Sequence, residues 1–175
     1  MATRRQAREW ALQLLVQLDL NPEPNLDVVL EPFWNQLREL ERERYEEDDR
    51  IELVLNFESQ ETQKAKAFAE AREFAEERIR GVVQDRDALD ARIEPRLKNW
   101  SLYRLGPVER NVLRLGVWEL ENCPEIPQPI VINEYVDLAK FFSETKSGRF
   151  VNGVLDRYAK SLREQRPSET ETFAP

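Results

Sequence analysis

Along most of this 175-residue chain, apolar side chains recur at spacings of three and four, the period of an α-helix with one face against a core. Between 4 and 20, Ala7, Trp10, Ala11, Leu14, Leu15 and Leu18 form one stripe. The pattern returns as Val29, Phe33, Leu37 and Leu40, then Phe68, Ala71, Ala75 and Ile79, then Leu89, Ile93 and Leu97. It continues as Val108, Val112, Leu115 and Leu120, as Ile132, Val136, Ala139 and Phe142, and as Phe150, Val151, Val154, Leu155, Tyr158 and Leu162. The five glycines are too few for a turn-rich β protein. The expected class is all-α, with about seven helices.

The breaks between stripes carry turn and cap chemistry. Thr3 stands where an N-cap is needed, and Asn21-Pro22-Glu23-Pro24-Asn25 reads as a turn. Pro32 inside the second stripe should kink that helix or mark its true start. Gly81 lies close to the end of the third helix. Gly106-Pro107 opens a helix with Glu109 in its first turn, and Gly116 in mid-helix predicts a close helix crossing. Pro124, Pro127 and Pro129 separate this helix from the next, and Ser147-Gly148 introduces the last one. From 43 to 63 a charge run leads into Ile51, Leu53, Leu55 and Phe57 at period two, which reads as an irregular insertion. The expected organisation is one domain over 1–165 and a disordered Pro-, Ser-, Thr- and Glu-rich tail over 166–175.

Absent residues exclude whole classes of function. With no histidine, the chain lacks the commonest general base and the commonest zinc ligand. The single cysteine, Cys123, allows no internal disulfide, and the isolated glycines form no phosphate-binding loop. No stretch approaches the roughly 20 apolar residues of a membrane span. The expectation is a cytoplasmic protein that is not an enzyme and carries no cofactor or metal. A net charge of −8 excludes wrapping nucleic acid by bulk charge, so a nucleic-acid site must be local. Charge is indeed uneven: eight acidic and four basic side chains lie between 31 and 50, against three acidic and six basic between 143 and 166.

Three blocks carry a resemblance to a known family. They are Ala-Arg-Glu-Trp-Ala-Leu-Gln-Leu-Leu at 7–15, Val-Glu-Arg-Asn-Val-Leu-Arg-Leu-Gly-Val-Trp-Glu-Leu at 108–120, and the pair Ile-Asn-Glu-Tyr-Val-Asp-Leu-Ala-Lys at 132–140 with Arg-Phe-Val-Asn-Gly-Val-Leu-Asp at 149–156. In order and spacing they resemble the NusB family of bacterial transcription antitermination factors. The resemblance implies an N-terminal three-helix bundle packed with a C-terminal helical bundle. It also implies binding of the boxA element of ribosomal RNA leader transcripts, jointly with the small-subunit ribosomal protein NusE, within the antitermination complex of RNA polymerase. Some relatives form homodimers that hide the RNA surface.

The resemblance assigns RNA contacts to Arg4, Arg5 and Arg8, with Gln6 where a basic residue is frequent, and to Arg149 and Phe150. There a cation meets phosphate and a ring stacks on an unpaired base. The residues themselves leave Phe150 open between stacking and the core, because it also lies on the last apolar stripe. Two positions that are aromatic in some relatives are Val16 and Leu97 here, which leaves stacking to neighbours such as Tyr103. Glu109 and Lys146 match the ribosomal-protein interface, Lys146 with reversed charge. Two rival readings remain. One is the RNA-binding module fused to ribosomal RNA methyltransferases, for which 175 residues leave no room. The other is a helical protein adaptor of the same fold that has lost RNA binding.

Overall fold

A computed structural model describes residues 3–48, 57–98 and 100–165. Among these there are seven α-helices and no strand. Close contacts divide the chain into two compact units, Met1–Gln84 and Asp85–Pro175, where one domain over 1–165 was expected.

The first unit holds α1 (Arg4–Leu20), α2 (Leu26–Asp48) and α3 (Phe57–Gln84). Thr3 caps α1, its hydroxyl accepting from the Gln6 N–H at 3.2 Å. Asn25 begins α2 similarly, its side chain accepting from the Asp27 N–H. Pro32 lies well inside α2 and does not define its start; its missing N–H leaves the Val28 carbonyl without the usual donor. The core-facing register of α2 is one residue later than the expected stripe. Leu30 and Trp34 are buried, Phe33 is half-buried and Leu40 is exposed.

Trp34 organises this core. Its ring meets Trp10 edge-on at 6.0 Å and Phe33 at 5.0 Å, and Phe68 lies 5.3 Å from Trp10 on the other side. Such pairs contribute about 0.5–1.5 kcal/mol each beyond area burial. The two pairs that Trp34 makes are comparable with the cost of its indole N–H, about 1–3 kcal/mol, which is buried without an acceptor among the described residues. The expected insertion over 43–63 is corrected at both ends: the charge run continues α2 to Asp48, and Phe57 already begins α3. Residues 49–56 and the tail lie outside the described residues. Helix α3 ends at Gln84, so Gly81 lies close to its end as expected.

The second unit holds α4 (Arg86–Ile93), α5 (Pro107–Asn122), α6 (Gln128–Phe142) and α7 (Thr145–Gln165). Pro107 is the first residue of α5, as its fixed φ favours. From Asn111 to Leu120 every residue of α5 is buried, which makes it the central helix. Its polar members are matched. The Arg114 guanidinium forks onto both Asp90 oxygens at 2.7 and 2.8 Å, and the Tyr135 hydroxyl donates to Glu119 at 2.8 Å. Gly116 is where the crossing is tightest: a Cβ there would meet Leu155 of α7 at 2.9 Å and Tyr135 of α6 at 3.4 Å.

Helix α7 starts at Thr145, before the expected Ser147-Gly148, and Gly148 leaves room for the stem of Lys140. The carboxylate of Glu109 ties this start to α5, accepting from the Ser143 hydroxyl and from the Ser147 hydroxyl at 2.7 Å. Burial by itself would raise its pKa, but the two hydroxyls and its own backbone N–H outweigh that and hold it below the ordinary value.

Gly116→Leu should destabilise the protein by about 1–3 kcal/mol, because Leu155 and Tyr135 cannot both withdraw, despite leucine's better helix propensity. A thermal melt checks this; an unchanged midpoint would mean the crossing has slack. Glu109 gives a pH signature. Its folded pKa is lowered, so its contribution is complete above the ordinary 4.5 and is lost as pH falls through the lowered value. Glu109→Gln should therefore flatten the acid limb of stability against pH, measured by urea titration at pH values below neutrality. An acid limb of unchanged slope would assign it to other carboxylates.

Candidate nucleic-acid interface

The first turns of α1 present the arginines, and the structure treats them differently. Arg4 and Arg5 are exposed. Arg5 lies 3.5 Å from Glu9, a surface pair of the kind worth about 0–1 kcal/mol, which leaves its guanidinium at the solvent boundary. Arg8, given an RNA contact by the family resemblance, is turned inward and only 3% exposed. Spacings of four put Arg4 and Arg8 on one side of α1, and both guanidiniums lie over the ring of Phe74 in α3, at 5.5 and 5.2 Å from its centroid. Gln6 is drawn to α2, its amide donating to Glu41 at 2.7 Å.

The patch has a member that pattern reading missed. Arg78 of α3 is 1% exposed and stacks on Phe74 at 3.2 Å, with its guanidinium donating to the Phe74 carbonyl at 3.0 Å and lying 3.1 Å from Glu77. The one sequence signal was an arginine among the buried positions Ala71, Ala75, Ile79 and Val82, where the stripe calls for an apolar residue.

In the second unit, Lys146, Arg149 and Phe150 share a face of α7 by their spacing of three and four. Lys146 and Arg149 are exposed and Phe150 is half-buried. Glu109 is near this turn through Ser147, but its carboxylate is occupied within the unit. Of the two positions that are aromatic in some relatives, Val16 is half-buried and Leu97 is buried. Exposed rings stand elsewhere, on the connection from α4 to α5. Leu102 is buried there and its N–H donates to the Glu94 carboxylate at 2.8 Å, so the loop is anchored while Trp100 and Tyr103 remain 57% and 70% exposed. Arg104 beside them is exposed.

The geometry offers two sets of groups suited to a phosphate backbone and unpaired bases: exposed arginines on α1, and cations with partly exposed rings on α7 and the α4–α5 loop. Among the described residues no cluster of carboxylates and thiols could hold a metal ion. No described helix is long and apolar enough to cross a membrane.

Comparison with known proteins gives this surface its context. The transcription antitermination protein NusB of Anaeromyxobacter dehalogenans is 38% identical over 170 residues, covering 97% of this chain and 99% of that one. The corresponding protein of Sorangium cellulosum is 50% identical over 93 residues, 53% of this chain and 66% of that one. A crystal structure of the antitermination factors NusB and NusE in complex with dsRNA contains a chain of similar fold. Its TM-score is 0.67 at 29% identity, covering 90% of this chain and 96% of that chain. The NusB family pattern matches residues 5–160, and with near full-length relatives well above 30% identity, this chain belongs to the NusB family.

Proposed function

We propose that this protein is a transcription antitermination factor that binds boxA RNA of ribosomal RNA leader transcripts together with the ribosomal protein NusE, as part of the RNA polymerase antitermination complex in the cytoplasm. The observation that carries this reading is the likeness, over nearly the whole chain, to the NusB of a complex with NusE and RNA. Its work is binding, with no bond made or broken by its side chains.

The division of labour follows from exposure and charge. Arg4, Arg5 and Arg149 meet phosphates, which gives affinity without sequence information. Phe150 stacks on an unpaired base through its solvent side, and Tyr103 and Trp100 supply the rings that Val16 and Leu97 do not. Arg8 acts from beneath the surface. Lys146 faces the ribosomal protein, with Glu109 holding the turn that presents it. Because the cations are few and the chain carries −8 overall, RNA binding depends on a partner that adds surface and charge.

Two measurements test this. The protein alone should bind single-stranded boxA-like RNA weakly and bind it more tightly with NusE present; equal affinity in both cases would contradict the joint site, and no binding in either would favour the adaptor reading. Separately, Arg4→Ala, Arg5→Ala and Arg149→Ala should each weaken binding across RNA sequences and lower the salt slope by about 0.7 for each phosphate no longer neutralised. Phe150→Leu should cost about 1–3 kcal/mol of RNA binding and leave the slope nearly intact. Arginine variants that match the wild type at every salt concentration would remove these residues from the site.

A further inference from the structure

Three guanidiniums from two helices gather on one ring. Arg4 and Arg8 of α1 and Arg78 of α3 all lie over Phe74, the last stacked on it at 3.2 Å. Like charges repel, so the cluster requires something that favours cations at that spot. The face of the ring, negative by its quadrupole, contributes to this, and Glu77, 3.1 Å from Arg78, supplies a counter-charge. Burial then separates the members: Arg8 and Arg78 are enclosed, while Arg4 reaches solvent.

This arrangement matters for an arginine meeting phosphate. A long exposed side chain otherwise loses rotamer freedom when it binds, and a ring that already holds the guanidinium removes part of that cost. The two enclosed cations lie where solvent screens least, and Glu77 offsets part of the Arg78 charge. We propose that Phe74 is a positioning residue for RNA: it pre-orders Arg4 for an RNA phosphate, with Arg8 and Arg78 as fixed charge behind it. The proposal rests on the RNA-binding reading above and adds to it a residue on α3 that touches no RNA.

The test is a double-mutant cycle in the full-length protein, with boxA-like single-stranded RNA and NusE present, and thermal melts on the same samples. Phe74→Leu keeps an apolar side chain but removes the ring face, and should weaken RNA binding about two- to five-fold. In an Arg4→Ala background the same change should cost little more, since the arginine it positions is gone. Phe74→Tyr, which retains the ring face, should bind like the wild type. If Phe74→Leu lowers the melting temperature too far for a titration, tetrafluorophenylalanine at position 74 keeps the shape while withdrawing charge from the face, and should show the same loss. The proposal is overturned if Arg4→Ala weakens binding and loss of the ring face does not. An equal loss with and without Arg4 also overturns it, because that result means general damage to the fold. Wild-type protein that binds no RNA would instead overturn the functional reading itself.

Discussion

The Arg114–Asp90 pair constrains the second unit more than any other contact. A helix buried along its whole middle cannot hide a charge unless that charge meets its opposite in good geometry, and the two-pronged contact between α5 and α4 meets that demand. Such a pair adds little net stability, since desolvation consumes most of the attraction; removing one partner costs about 3–5 kcal/mol. Its effect is on uniqueness. Turning α5 by one residue, about 100°, would leave a guanidinium unpaired in the interior. With α5 locked, Gly116 comes to face Leu155 and Tyr135, and Glu109 comes within reach of Ser143 and Ser147. The position of Lys146, Arg149 and Phe150 on α7 follows from those two contacts.

The first unit solves a related problem with rings. Trp34 and its neighbours fill the interior, while Phe74, nearer the surface, gathers arginines that an aliphatic side chain would not hold. Guanidinium suits this role, being planar and more weakly hydrated than an ammonium. Lysine at 8 or 78 would be expected to push outward to water, taking the packing beneath Arg4 with it.

How far pattern reading reached depended on the range of the forces involved. The stripes of α1, α4 and α6 were legible because period and capping are local, and Thr3, Pro107 and Gly116 do what their chemistry requires. In α2 the adjacent Phe33 and Trp34 offered two registers of similar hydrophobicity; the choice fell to Trp10, a residue on another helix. The charge run from Glu43 looked like the end of order because it lacks an apolar stripe, yet the helix continues through it to Asp48. For the candidate site, the exposed Arg4, Arg5 and Arg149 were proposed from family motifs. The inward turn of Arg8 could not, since it depends on a ring some 66 positions away in sequence, at Phe74. Arg78 was hidden although its ring lies only one helical turn before it, because a cation in an apolar slot breaks the stripe without showing what it stacks on.

Cys123 closes α5 and is buried, the one thiol in the chain. Thiolate chemistry requires access, so in the closed state this sulfur is shielded from alkylating reagents. The molecule therefore carries its own clock for opening: reaction at Cys123 reports excursions that expose the end of α5. An RNA or protein that clamps the second unit closed would slow that clock, so engagement can be read through a sulfur atom that no ligand touches.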